Sequence, residues 1–285
     1  MEFNTQEVQK DIDRILVEEQ DNYNAESLKT IFNLIDLTTL KSTDNSAVIN
    51  KMCSKVNQLN ENYPEMPQVA AICVYPSMVE GVRSALEIKD VNIASVAAGF
   101  PASQTFVSIK AAESELAVEK GADEIDIVIS LGKFLEGDYD YVAKEIKIIK
   151  DAIKDAHLKV ILESGLLPTL NDVYKASVIA INSGADFIKT STGKEDPAAT
   201  IEAIYVMCKA IKEHYEKTGV KIGLKPAGGI STSKEVFKYY AVVKSILGES
   251  WLNNKYFRIG ASRLANDLLK EVYKFDNKEI TKSYF

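Results

Sequence analysis

The chain has 285 residues, 46% hydrophobic and 26% charged, with a net charge of −7 and a pI near 5.1. That composition supplies ample core for one large domain, and its acidic balance argues against nucleic-acid binding, which needs a basic face. No apolar run approaches the roughly 20 residues of a membrane span, and the polar start Met1-Glu2-Phe3-Asn4 shows no secretory leader. Cys53, Cys73 and Cys208 are odd in number and lack a CxxC pair, which suits a reducing, cytoplasmic setting. Only His157 and His214 occur, so neither a histidine-based triad nor a multi-histidine zinc site is expected.

In chain order, Val8, Ile12, Ile15 and Leu16, then Leu28, Ile31, Phe32 and Ile35, recur at helical spacing. They predict an N-terminal helical extension over residues 1–33. Strands are expected at 34–38, 69–75, 91–97, 124–129, 159–163, 187–190, 221–225 and 257–260. Helical patterns fill 45–61, 77–89, 103–120, 139–156, 169–183, 198–217, 232–247 and 262–274. Strands alternating with helices imply parallel pairing through right-handed crossovers. Eight such units fit a closed (β/α)8 TIM barrel over 34–275, with a doubly wound open sheet as the alternative. Residues 276–285 form a polar tail, expected to be mobile.

The strands carry charges where apolar residues belong. Gly121-Ala122-Asp123-Glu124-Ile125-Asp126 and Gly184-Ala185-Asp186-Phe187-Ile188-Lys189 share the frame G-A-D-x-I-x. Their last residues, Asp126 and Lys189, would point into a barrel. Lys225 ends the seventh strand, and Lys159 and Glu163 share a face of the fifth at period two. Burying these five charges would cost far too much unless they face a polar site.

Lys189 invites a specific chemistry. An unperturbed lysine is about 0.04% neutral at pH 7, and the ordinary reading of a lysine at a strand end is an amine that snorkels to water. A second ammonium roughly 6–7 Å away would disfavour the charged form by about 2.5 kcal/mol, close to two pKa units, and burial pushes the same way. Lys225 could supply that charge, making Lys189 an amine nucleophile towards a carbonyl. Asp126 could relay protons. Small residues follow the last strands: Ser191-Thr192-Gly193-Lys194, Ala227-Gly228-Gly229 and Gly260-Ala261-Ser262. Backbone N–H groups there could hold a phosphate. Thr192-Gly193-Lys194 is not a nucleotide P-loop, because Ile188 and Glu195 break the GxxxxGK[ST] pattern. Cys73 reads as a packing residue, and Glu163 as a charge partner for an interior lysine.

Together these motifs, with Ile35-Asp36-Leu37-Thr38-Thr39-Leu40, Ile72-Cys73-Val74-Tyr75-Pro76 and Leu224-Lys225-Pro226-Ala227-Gly228-Gly229, resemble the deoxyribose-phosphate aldolase family over about residues 35–269. The resemblance implies a class I aldolase of deoxyribonucleotide catabolism. Such an enzyme reversibly cleaves 2-deoxy-D-ribose 5-phosphate to D-glyceraldehyde 3-phosphate and acetaldehyde, with no metal and no cofactor. By the same resemblance Lys189 is the Schiff-base lysine, Lys225 its pKa-lowering partner and Asp126 the proton-relay acid. Lys159 and Asp36 fall on supporting positions, and Gly193, Lys194, Gly228, Gly229 and Ser262 on phosphate positions. Partners would be small-molecule phosphosugars and aldehydes, with a homo-oligomer left open. Two positions depart from the family pattern: Arg263 stands where a second serine is common, and Ser130 where asparagine is frequent. Competing readings are another Schiff-base phosphosugar aldolase and a barrel that binds phosphosugars without turnover.

Overall fold

The alternation of short apolar strands with capped amphipathic helices folds as expected. A computed structural model describes residues 2–285. Its strands are β1 (Ile35–Thr38), β2 (Ala71–Val74), β3 (Asn92–Val96), β4 (Glu124–Val128), β5 (His157–Ile161), β6 (Phe187–Lys189), β7 (Gly223–Lys225) and β8 (Ile259–Ala261). All neighbours pair in parallel in the order β7-β6-β5-β4-β3-β2-β1-β8. Two isolated parallel bridges, Leu224 with Phe257 and Ala227 with Gly260, close the ring between β7 and β8. This is the (β/α)8 barrel, not the open doubly wound sheet.

Local chemistry explains where the helices begin. Thr169, Thr200 and Thr232 each accept a backbone N–H three residues ahead, starting helices Leu170–Asn182, Ile201–Thr218 and Ser233–Leu247. The longest of these ends at Gly219, whose positive φ of 71° closes the helix without a Cβ penalty. In the N-terminal extension, helix Thr5–Glu19 buries Val8, Ile12 and Ile15 against helices 201–218 and 233–247. Each such side chain stabilises the fold by about 1.5–3 kcal/mol. Helix Ala25–Asn33 packs on the last helix, Leu264–Phe275. The extension is therefore an outer layer on one flank of the barrel.

Three expectations change. The fifth strand starts and ends two residues early, so Glu163 lies beyond it, with a left-handed φ of 51°. A short helix, Leu131–Leu135, follows β4 where none is predicted. The tail is docked at its end: Asn266 Oδ1 accepts the backbone N–H groups of Tyr284 (2.7 Å) and Phe285 (2.8 Å), and the Tyr284 hydroxyl donates to the Lys55 carbonyl at 2.6 Å. No helix among the described residues is long and apolar enough to cross a membrane.

Candidate active site

Period-two alternation on β4 sends Glu124 and Asp126 to the same face, and the barrel's closure turns that face inward. Strands β1, β5, β6 and β7 add Asp36, Lys159, Lys189 and Lys225, and Arg258 enters just before β8. All seven residues are buried, none more than 3% exposed. They satisfy one another in a closed, alternating ring. Arg258 pairs with Glu124 at 2.7 Å and with Asp36 at 2.8 Å. Asp36 pairs with Lys225 at 2.5 Å, and Lys225 with Asp126 at 2.7 Å. Asp126 then meets Lys159 at 2.9 Å, and Lys159 returns to Glu124 at 2.5 Å. Three carboxylates and three cations thus close the circuit. Lys189 stands outside it, donating to Asp126 Oδ2 at 2.8 Å, the oxygen that Lys225 also uses.

Asp126, Lys189, Lys225, Lys159 and Asp36 therefore meet, as the sequence predicts. Lys189 and Lys225 pair directly across β6 and β7. Burial lowers the pKa of Lys189; Asp126 opposes this, and the nearby Lys225 ammonium adds to the lowering. Burial, not the lysine pair, is thus the larger cause. Lys225 moves the other way: burial would lower it, but Asp126 and Asp36 raise it well above the ordinary lysine value. Lys159 is likewise raised, Asp126 and Glu124 outweighing burial. Burial alone would raise Asp126, yet Lys159, Lys189 and Lys225 hold it well below the usual carboxylate range. Among the interior amines only Lys189 is pushed towards its neutral form.

The loops beyond the strands enclose a cavity of about 670 Å³. Of the seven interior charges, Lys189 alone lines it. The other walls include Thr192, Gly193, Lys194, Gly228, Gly229, Ser262 and Arg263, so every expected phosphate position borders one space. Lys41, Lys51, Lys55, Lys189, Lys194 and Arg263 give the lining six cations, and no Asp or Glu side chain joins them. An acidic chain thus builds a local positive field. The Gly193 and Gly228 backbones approach closely there: Gly228 has φ of 90°, and a Cβ on it would lie 2.6 Å from that of Ala198. The Lys194 ammonium donates to the Leu40 carbonyl at 2.6 Å, and its backbone N–H to the Thr192 hydroxyl at 3.0 Å.

Other expectations are redirected. Glu163 does not partner an interior lysine; its carboxylate accepts the Thr192 N–H at 3.1 Å and hydroxyl at 2.6 Å, bracing the loop after β6. Cys73 packs, fully buried, with Leu40, Ala71, Ala94 and Val96, and burial raises its thiol pKa. Ser130 turns away from the cavity to Lys110 and Glu145. The sequence reading missed Glu124 and Arg258. Both carried the signal used for Lys159, a charge inside an apolar strand, and Glu124 lies two residues before Asp126. Among the described residues no group of three or more His, Cys, Asp or Glu is arranged to hold a metal.

A profile described as DeoC/LacD family aldolase matches residues 30–267. A human deoxyribose-phosphate aldolase is 45% identical over 249 residues, covering 84% of this chain and 78% of the relative. A Bos taurus deoxyribose-phosphate aldolase is 43% identical over 249 residues, with 84% and 78% coverage. A tetrameric deoxyribose phosphate aldolase from Aeropyrum pernix superposes with a TM-score of 0.68 at 23% identity, covering 91% of this chain and 97% of that one. That last likeness speaks for the barrel alone.

Proposed function

This chain belongs to the DeoC/LacD aldolase family, and from that premise we propose that it cleaves 2-deoxy-D-ribose 5-phosphate reversibly through a Schiff base on Lys189. The products are D-glyceraldehyde 3-phosphate and acetaldehyde. The observation that carries this reading is the placement of Lys189: a buried amine with a lowered pKa, it is the only member of the charged interior that borders the cationic cavity.

Neutral Lys189 adds to the C1 aldehyde of the open-chain sugar, and loss of water gives a protonated imine. Deprotonation of the C3 hydroxyl then breaks the C2–C3 bond, its electron pair moving into the imine as an enamine. Glyceraldehyde 3-phosphate leaves, the enamine is protonated at C2, and hydrolysis frees acetaldehyde and the amine. Asp126 relays protons, a role supported by its hydrogen bonds from Lys189, Lys159 and Lys225. Gly193, Lys194, Gly228, Gly229 and Ser262 hold the phosphate, consistent with a lining that carries cations but no Asp or Glu side chain. The reading takes the enzyme as cytoplasmic, without a resident cofactor, and leaves homo-oligomerisation open.

Borohydride reduction with acetaldehyde, followed by peptide mapping, tests it. Lys189 should be ethylated selectively and activity lost in parallel. A label on Lys225, or spread over surface lysines, would overturn the assignment.

A further inference from the structure

The charged interior contains a surplus. Its six-member ring of Glu124, Arg258, Asp36, Lys225, Asp126 and Lys159 is neutral by itself, with each charge flanked by two of opposite sign. Lys189 is the fourth cation against three carboxylates, and its only carboxylate, Asp126, already belongs to Lys225 and Lys159. The cluster reaches neutrality only when Lys189 gives up its proton.

We propose that Arg258 and Glu124, neither of which touches Lys189, set its proton affinity through this ring. Arg258 shares Asp36 with Lys225 and Glu124 with Lys159, which lets both ammoniums also hold Asp126. Asp126, so engaged, attracts the Lys189 proton weakly. The groups involved come from every side of the barrel. Lys189 faces Asp126 from β4, Lys225 from β7 and Cys73 from β2. Arg258 faces Asp36 from β1, Glu124 from β4 and the Phe187 ring from β6, and Arg258 Nε donates to the Asn254 carbonyl. Glu124 also meets Asn92 from β3 and His157 and Lys159 from β5. Arg258 and Glu124 are positioning residues acting at a distance. Guanidinium suits its place because it stays charged at any working pH and reaches two carboxylates at once.

The inference rests on Lys189 being the Schiff-base amine, and charge substitutions test it through shifts of opposite sign. The readout is the pH midpoint of Lys189 modification by acetaldehyde and cyanoborohydride, followed by mass spectrometry of the Lys189 peptide. In Arg258→Met, Asp36 and Glu124 draw Lys225 and Lys159 away from Asp126. Asp126 then holds the Lys189 proton, and the midpoint should move about one unit alkaline. In Glu124→Gln, Lys159 leans more on Asp126, and the midpoint should move acid by a similar amount. The double variant should return near wild type, and Arg258→Lys, which keeps the charge without the fork, should fall between wild type and Arg258→Met. Should Arg258→Met fail to fold, the acid shift in Glu124→Gln decides alone. Midpoints that stay put, or that move together in one direction, would overturn the proposal. Absence of wild-type modification at Lys189 would instead sink the Schiff-base reading beneath it.

Discussion

Two buried lysine–carboxylate clusters sit close together in this fold, and they differ in one respect. Between helices 107–119 and 139–153, Lys110 donates to Glu145 at 2.7 Å, Ser103 at 2.7 Å and Ser130 at 2.9 Å, with both charged side chains essentially inaccessible. One ammonium meets one carboxylate, and hydroxyls take the remaining donors. The Ser103 hydroxyl continues to the Val128 carbonyl at 2.8 Å, so the cluster bolts the loop after β3 to the end of β4. In the barrel interior four cations share three carboxylates, and Lys189 has none to itself. Burial is thus common to both lysines; what sets Lys189 apart is the Lys225 ammonium that adds to the lowering by burial, and a cavity for its amine to reach into.

The comparison breaks most visibly at Lys189. Lys189→Leu should lower turnover by about 10⁴-fold or more at every pH, since no pH restores a missing nucleophile. Its thermal stability should change little, because the ring it leaves is already neutral; an unfolded variant would contradict that view. Lys225→Leu comes next. It removes one ring cation, so the Lys189 pKa should rise and the ascending, acid-side limb of activity should move to higher pH by about one to two units. Activity near neutrality then falls about ten- to a hundredfold and recovers in part at high pH. An unmoved limb would leave burial as the sole cause of the lowered pKa.

The opposite behaviour is expected at Lys110. Lys110→Met leaves Glu145 buried without a cation and should destabilise the fold by about 3–5 kcal/mol, read by denaturant unfolding. Activity per folded molecule should stay within about twofold. A large drop in turnover with unchanged stability would erase the distinction between the clusters. The last effect concerns the ligand. Helix N-terminus contacts to an anion contribute about 0.3–1 kcal/mol each, so unphosphorylated 2-deoxyribose should lose about ten- to a hundredfold in kcat/KM. Equal turnover of both sugars would remove the phosphate site from the cationic cavity.

The barrel was legible because its signals are local: period-two strands, helical spacing and cap residues each act within a few positions. The site was legible where one strand pattern sufficed, as for Asp126, Lys189 and Lys225. It failed at Glu163, where alternation continues on paper but the backbone turns left-handed to reach Thr192. A period says nothing of the φ at its last residue. Arg258 escaped because its meaning depends on Asp36 and Glu124, 222 and 134 residues away. The Lys110 cluster escaped for the same reason, its partner Glu145 lying 35 residues on in another helix. Docking of the tail likewise hangs on Asn266 and Lys55, which no local pattern names.

The place of Arg258 in the chain has a consequence for biosynthesis. The Lys189 amine and its Asp126 partner emerge from the ribosome long before the guanidinium that completes their circuit. A nascent chain halted before residue 258 would carry Asp36 and Glu124 with an open seam on both sides, since β1 would lack its β8 neighbour and β7 its closing bridges. Dehydrating those carboxylates without Arg258 is unfavourable, so the growing barrel has reason to stay hydrated and reversible inside. The last strand then does more than add a stave: it delivers the charge that lets water leave. If Lys189 is the amine nucleophile proposed above, closing the barrel and lowering its proton affinity become one event, timed by the arrival of the eighth strand.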